Sequence, residues 1–422
     1  MSIYDILIVG GGVAGLRLAI EAKKVNKKLK ILIIEKYSQM GGRMQTIHKK
    51  INGKEIQYES GAGRICTNHH KLLNLIQNYG LHITPISSKT EWRKYGNQNS
   101  EPNNFEEIWY NLCLQLSKLP KETLRSKTLR DLAIETLGVD LTQQLFDTYP
   151  YRAELEVSSA ESAIDLYLSI GNKEFVILNE GFSELIHLMT KEAKQLGVKF
   201  VTDITINRVD VDKNQIYKVT SNSSAETDCK TFEGKRVVLA VHRNALEKIY
   251  PFSMEHPLVK AVRMEPLLRI YSVYKDSSWF PSNKVVTNSP LRYIIPINKS
   301  NGLIMSSYLD SRDIELWSDL YKKNKVEELK DKIHNETSAL FLEKSITEKP
   351  SNIFPEYWRD GCSYWLLDTD YKALSKLALQ PYPDDYPNLH IVGESFSLKQ
   401  QWIEGSLEHA DDLISLIKNS IS

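Results

Sequence analysis

Gly10, Gly12 and Gly15 stand directly behind an apolar run, Ile6-Leu7-Ile8-Val9, and in front of Leu16, Leu18, Ala19 and Ala22 at helical spacing. Glycines in that order do defined chemistry. Gly10 permits a tight turn, Gly12 lets the backbone approach a pyrophosphate, and Gly15 lets a helix pack closely on a strand. The phosphate charge then faces a helix N-terminus around Val13 and Ala14, where backbone N–H groups and the dipole favour an anion. Glu35 follows 20 residues after Gly15, at the end of a second apolar run, Ile31-Leu32-Ile33-Ile34. A carboxylate there accepts hydrogen bonds from a ribose 2′-OH and repels a 2′-phosphate, which argues against NADP. The bland alternative is a glycine turn in a parallel sheet that holds no ligand. Just beyond, Gly41-Gly42-Arg43 offers a second close backbone approach and a guanidinium able to fork onto phosphate.

Other constellations are weak. His69-His70 is a tempting pair, but adjacent residues on a helix do not face the same way, and no Cys or carboxylate set lies nearby. No Walker loop and no Ser-His-Asp signature is present. The four cysteines, Cys66, Cys113, Cys229 and Cys362, are scattered without a C-x-x-C pair, which fits a reducing compartment rather than a disulfide scaffold or a zinc module. Lys plus Arg total 54 against 53 for Asp plus Glu, so no basic excess points to nucleic acid. The chain shows no secretory leader pattern and no apolar run near the 20 or so residues of a membrane span. A cytoplasmic location is therefore expected.

The elements that must position these residues mix strands and helices. A β-α-β unit fills the first 35 residues. The pattern predicts helices over 105–150 and an amphipathic helix from Ser183 to Leu196 after a turn at Gly181. A strand with a hairpin is expected over Lys199–Val219, and buried strands at Val237–Val241 and Leu389–Val392. The Tyr-, Ile- and Val-rich stretch from Leu267 to Ser307 reads as antiparallel strands, and 311–343 as helical. With 422 residues, two to three domains are expected. The fold class is α/β: a Rossmann-type dinucleotide-binding domain, with a parallel sheet and helices, interleaved with a substrate domain of antiparallel sheet and helices. The expected boundaries are 1–80, 176–255 and 373–422 for the first domain, and 81–175 (largely helical) and 256–372 for the second.

With Glu35 and Gly42-Arg43 in this order, the chain resembles the FAD-dependent amine oxidase family, which includes monoamine, polyamine and L-amino-acid oxidases. Three later segments extend the likeness: Tyr58-Glu59-Ser60-Gly61-Ala62-Gly63-Arg64, Asn179-Glu180-Gly181-Phe182, and Gly393-Glu394 followed by Gln401-Trp402-Ile403-Glu404-Gly405. The resemblance implies that FAD is held by the glycine loop, Glu35, Lys36, Gly42 and Arg43. It adds the flavin-side segment from Gly61 to Arg64, then Ile206, Cys362, Gly393, Glu394, Trp402 and Ile403. Trp402 matches an aromatic wall beside the flavin. Arg64 matches a position where L-amino-acid oxidases hold the substrate carboxylate, the competing reading being a surface or phosphate-facing arginine. Cys362 falls where monoamine oxidases attach flavin covalently, although Ser363 replaces the aromatic residue that follows there, which leaves Tyr364 as a pocket residue. Arg269 stands where the family has a lysine that assists oxygen reduction. Arginine keeps the charge but not a releasable proton.

The activity so implied is oxidation of a C–N bond in a small amine or amino acid. Hydride passes to flavin N5, and O2 reoxidises the flavin. Two alternatives remain open: a non-catalytic member of the fold, like the Rab GDP-dissociation inhibitors, and a desaturase-type enzyme like the carotenoid or porphyrinogen oxidases. A chromatin demethylase resembles the same family but needs more chain than is present. Oligomeric state is not legible.

Overall fold

A computed structural model describes residues 3–51, 53–87, 89–95, 105–170, 174–221, 229–344, 346 and 348–422. Five parallel strands make the first layer, in the order Leu389–Ile391, Val237–Leu239, Ile6–Val9 (β1), Ile31–Ile34 (β2) and Lys199–Val201. Their short, unbroken apolar runs are what a sheet covered on both faces requires. Ile6, Ile8, Ile31 and Ile33 point to one side, into a core with the helix α1 (Val13–Val25), the helix Phe182–Gln195 and the C-terminal helix Ile403–Ile421. Leu7, Val9, Leu32 and Ile34 point to the other, against the hairpin sheet of Ile206–Val211, Tyr217–Ser221 and Thr231–Gly234.

The expected strand over Lys199–Val219 divides in two. Lys199–Val201 closes the parallel sheet, and only the residues from Ile206 onward form the hairpin. A buried parallel edge and an antiparallel hairpin both read as alternating apolar residues, so their boundary was not visible in the pattern.

A second, six-stranded sheet runs Asn352–Trp365, Val262–Val273, Leu303–Asp310, Tyr293–Asn298, Lys284–Thr287, Thr90–Arg93. All its pairings are antiparallel except that of Lys284–Thr287 with Thr90–Arg93. Helices between Phe105 and Ile170 stack beside it around Trp109, Leu145, Phe146 and Ile164. The chain thus builds an α/β fold with one parallel and several antiparallel sheets. Among the described residues no helix is long and apolar enough to cross a membrane.

The glycine loop joins β1 to α1 under tight constraint. Gly10 has φ +110°, and a Cβ there would sit 2.3 Å from the Ala240 carbonyl oxygen. A Cβ on Gly15 would lie 2.1 Å from the Gly10 oxygen and 3.2 Å from Ile8 Cγ2, whereas one on Gly12 would meet nothing within 4 Å. Gly15→Ala should therefore lower unfolding free energy by about 2 kcal/mol through overpacking. Gly12→Ala should stay within about 0.5 kcal/mol of the parent. Denaturant unfolding of both variants decides this, and equal losses would refute the distinction.

Candidate active site

The nucleotide end is built from backbone. Glu35 Oε2 accepts from Gly11 N at 2.6 Å and Oε1 from Tyr37 N at 2.9 Å, so this carboxylate shapes the loop before any ribose reaches it. Gly41 N donates to Gly11 O, laying the two glycine segments side by side, and Gly42 takes φ +59° with only the Gly12 Cα near its Cβ position. Helix α1 begins at Gly12 with no side-chain cap. Its N-terminal N–H groups and the open space at Gly12 and Gly393, where an added Cβ would meet nothing within 4 Å, suit a pyrophosphate. Lys36 is exposed, with its ammonium 5.1 Å from the Tyr37 ring. The Ile206 side chain lies in the core beneath the hairpin sheet, and it is Ile204 whose N–H reaches the Glu35 carbonyl, at 3.0 Å.

Arg43 leads from the nucleotide end toward the antiparallel sheet. Its Nη2 donates to Glu394 Oε2 at 2.6 Å and its Nη1 to the Gly361 carbonyl at 2.9 Å. Glu394 also accepts from Ser363 Oγ at 3.0 Å and Gln401 N at 2.5 Å. Ser363 thus serves the Glu394 carboxylate. A Cβ on Gly61 would fall 1.9 Å from the Arg43 carbonyl oxygen, and Ala62 N donates to that same oxygen, so this crossing needs glycine.

Beyond Gly63 a cavity of about 1390 Å³ opens, lined by Ala62, Gly63, Arg64, Arg269, Cys362, Tyr364, Trp402 and Ile403 among others. These sequence-derived candidates therefore converge. Arg269, on Val262–Val273, stands opposite Tyr308 and donates to the Glu59 carbonyl at 3.1 Å and to Tyr308 Oη at 3.2 Å. Its Nε is buried without a hydrogen-bond partner among the described residues. Arg64 donates to Tyr151 Oη at 2.5 Å and Tyr293 Oη at 3.2 Å. Trp402 meets the His69 ring edge-on at 4.8 Å and stacks on Phe175 at 6.2 Å. Burial lowers the His69 pKa to about 4, and its Nδ1 serves Cys66 N, so His69 supports Trp402 while His70 is exposed. No metal-binding cluster exists among the described residues. Burial pushes the Cys362 thiol up to about 12, which makes it a poor nucleophile at neutral pH.

Tyr151, Tyr293, Tyr308, Phe175, Lys284 and Glu154 also line the cavity, and none was singled out in the sequence. They come from different elements, and only the Tyr-rich composition of the strands hinted at them.

Comparison with known proteins gives consistent findings. The sequence model of flavin containing amine oxidoreductases matches residues 13–412. A redesigned double mutant of putrescine oxidase has the same fold at TM-score 0.75 and 15% identity, covering 98% of this chain and 99% of that one. Cyclohexylamine oxidase from Brevibacterium oxydans IH-35A gives TM-score 0.74 at 15% identity, covering 100% of both chains. A mitochondrial L-2-hydroxyglutarate dehydrogenase from Dictyostelium discoideum is 37% identical over 73 residues, so the match spans only 17% of this chain and 16% of that protein.

Glu154, buried on the cavity wall and accepting from Tyr149 Oη at 2.7 Å, has its pKa raised by burial from 4.5 to about 7. Between pH 4.5 and 7 the folded protein keeps a proton that the unfolded chain has released, so this group's contribution to stability falls as pH rises through that window. Glu154→Gln removes the dependence. The stability difference between parent and variant should change by on the order of 3 kcal/mol from pH 4.5 to 7.5, in the variant's favour. Urea unfolding of both at the two pH values measures it, and a constant difference would refute the assignment.

Proposed function

The chain belongs to the flavin containing amine oxidoreductases, and on that premise we propose that it is an FAD-dependent oxidase whose amine substrate carries a carboxylate, as an α-amino acid does. One observation carries the substrate class. Arg64 stands on the cavity wall among Tyr151, Tyr293, Tyr308 and a second guanidinium, Arg269, and makes no ion pair among the described residues. A guanidinium so enclosed calls for an anion, and its planar fork suits a carboxylate bidentately.

FAD, when bound, would supply the two-electron acceptor for hydride from the substrate α-carbon. The protein's own residues do the rest. The open backbone at Gly12 and the uncapped start of α1 hold the pyrophosphate, while Arg43 and Glu394 fix the approach to the cavity. Arg64 orients the substrate through its carboxylate, and the aromatic wall of Trp402 and Phe175 excludes water. Arg269, buried and always charged, stabilises negative charge beside Gly63 but cannot carry a proton. The proton lost by the substrate ammonium must leave through another group, and Glu154, with its pKa near 7 on the same wall, can accept it. Loss of hydride and that proton leaves the protonated imine, which water would hydrolyse to a keto acid and ammonium. O2 would take up the two electrons, with two protons, as hydrogen peroxide. The scattered cysteines, none of them in a disulfide, support a reducing, cytoplasmic setting.

The purified protein should be yellow, and amino acids should bleach it anaerobically until oxygen is admitted. Arg64→Ala should lower kcat/KM for carboxylate-bearing amines about 100-fold or more, with simple amines changed less than about threefold. A colourless protein that FAD cannot reconstitute, or an Arg64→Ala enzyme with unchanged selectivity, would overturn the proposal.

A further inference from the structure

Arg64 and Arg269 share the cavity with a third cation. Lys284 opens the strand Lys284–Thr287, all of whose residues are buried, and pairs in register with Thr90. It is only 6% exposed, and it lines the cavity. Among the described residues Lys284 makes no ion pair. What it meets is a ring: its Nζ lies 5.6 Å from the Phe175 centroid, and the Arg64 Cζ lies 5.3 Å from the same centroid. Phe175 is thus flanked by two cations.

A ring face returns only a small part of what an ammonium loses on leaving bulk water, so the ring alone does not justify enclosing this one. Two carboxylates of the cavity lining, Glu91 and Glu154, are already engaged. Glu91 accepts from Asn283 Nδ2 at 3.0 Å and lies 3.8 Å from Arg93, and Glu154 accepts from Tyr149. Glu106, Glu107 and Glu174 are exposed to solvent. A buried positive group on a cavity wall, unpaired and beside another, is suited to an anion that enters from the cavity.

We propose that Lys284 is a specificity residue, and that the substrate is an amino acid with a second anionic group: the α-carboxylate seats on Arg64 and the side-chain carboxylate reaches Lys284 across the Phe175 ring. This rests on the reading that Arg64 receives a carboxylate. The alternative, a basic side chain recognised by Glu154, is disfavoured. Glu154 already has a hydrogen-bond donor and can shed its charge by holding a proton, whereas Lys284 has no polar partner among the described residues.

The test uses the FAD-loaded enzyme with both enantiomers of glutamate and aspartate, their carboxamides glutamine and asparagine, the basic amino acid lysine, and a simple alkylamine. The parent should favour a dicarboxylic amino acid over its carboxamide at least tenfold in kcat/KM, mainly through KM. Lys284→Met should erase that preference by lowering kcat/KM for the dicarboxylic amino acid far more than for its carboxamide, and Lys284→Arg should restore most of it. Melting curves guard against misfolding, and the methionine variant, which loses a buried charge, should melt no lower than the parent. A parent that prefers glutamine or lysine, or a Lys284→Met enzyme that keeps the dicarboxylate preference, would overturn the role of Lys284 alone. Bleaching by the alkylamine but by no amino acid would overturn both this role and that of Arg64.

Discussion

The buried carboxylate of Glu394 is the point on which the two halves of the architecture depend. It gathers Arg43 from beyond β2, Ser363 from the outermost strand of the six-stranded sheet and the Gln401 N–H ahead of the C-terminal helix. Arg43 repeats the connection through the Gly361 carbonyl. The side chain of Glu394 is only 7% exposed, so its charge is tolerable only because three donors meet it. Losing Arg43 would leave a stranded anion, and the sheets would lose their main polar tie at the place where the nucleotide end gives way to the cavity. Gly61 completes this crossing, because no side chain fits against the Arg43 carbonyl.

Electrostatics inside and outside the protein differ sharply. The whole chain carries a net charge of +1, which says nothing of the interior. Within the cavity Arg64, Arg269 and Lys284 share one wall. Glu59 lies in Coulombic reach of Arg269, but burial raises its pKa to about 7, so at neutral pH it offsets that charge only in part. Glu356, opposite Arg269 across the strands, turns instead to Tyr58 Oη and Ser60 Oγ. The tyrosine hydroxyls around the arginines supply dipoles without a compensating charge. Such a wall costs stability, and an anion bound there would recover that cost as affinity.

How much of this was legible followed from how local each signal is. The glycine loop was readable because its turn, its close approach and its helix contact all fall within six residues, where spacing dictates geometry. Arg43, Arg64, Arg269, Cys362, Tyr364 and Trp402 were found through short segments resembling a known family, and they do gather on the crossing and the cavity. The tyrosines were out of reach. Tyr151 precedes a short helix, Tyr293 begins one strand and Tyr308 lies in another, and only the strand order of the antiparallel sheet brings them within 6.2 Å of one another. Lys284 was hidden for the opposite reason. A lysine at a strand start ordinarily reads as a solvated end, and nothing in its neighbours reveals that this end is covered.

Arg269 shows why position and residue type must be read together. A lysine in that enclosure could lose its proton to burial and serve as a relay. Arg269 is fixed instead by two directed hydrogen bonds, to the Glu59 carbonyl and Tyr308, and by the Tyr308 ring 4.6 Å from its Cζ. Its Nε has no partner among the described residues. The arrangement holds a constant charge at a constant place. Under the proposed mechanism proton movement falls to a group that titrates near neutrality, and burial has placed Glu154 in that range among the residues lining the cavity. In this cavity a constant charge and a titratable proton sit on different residues.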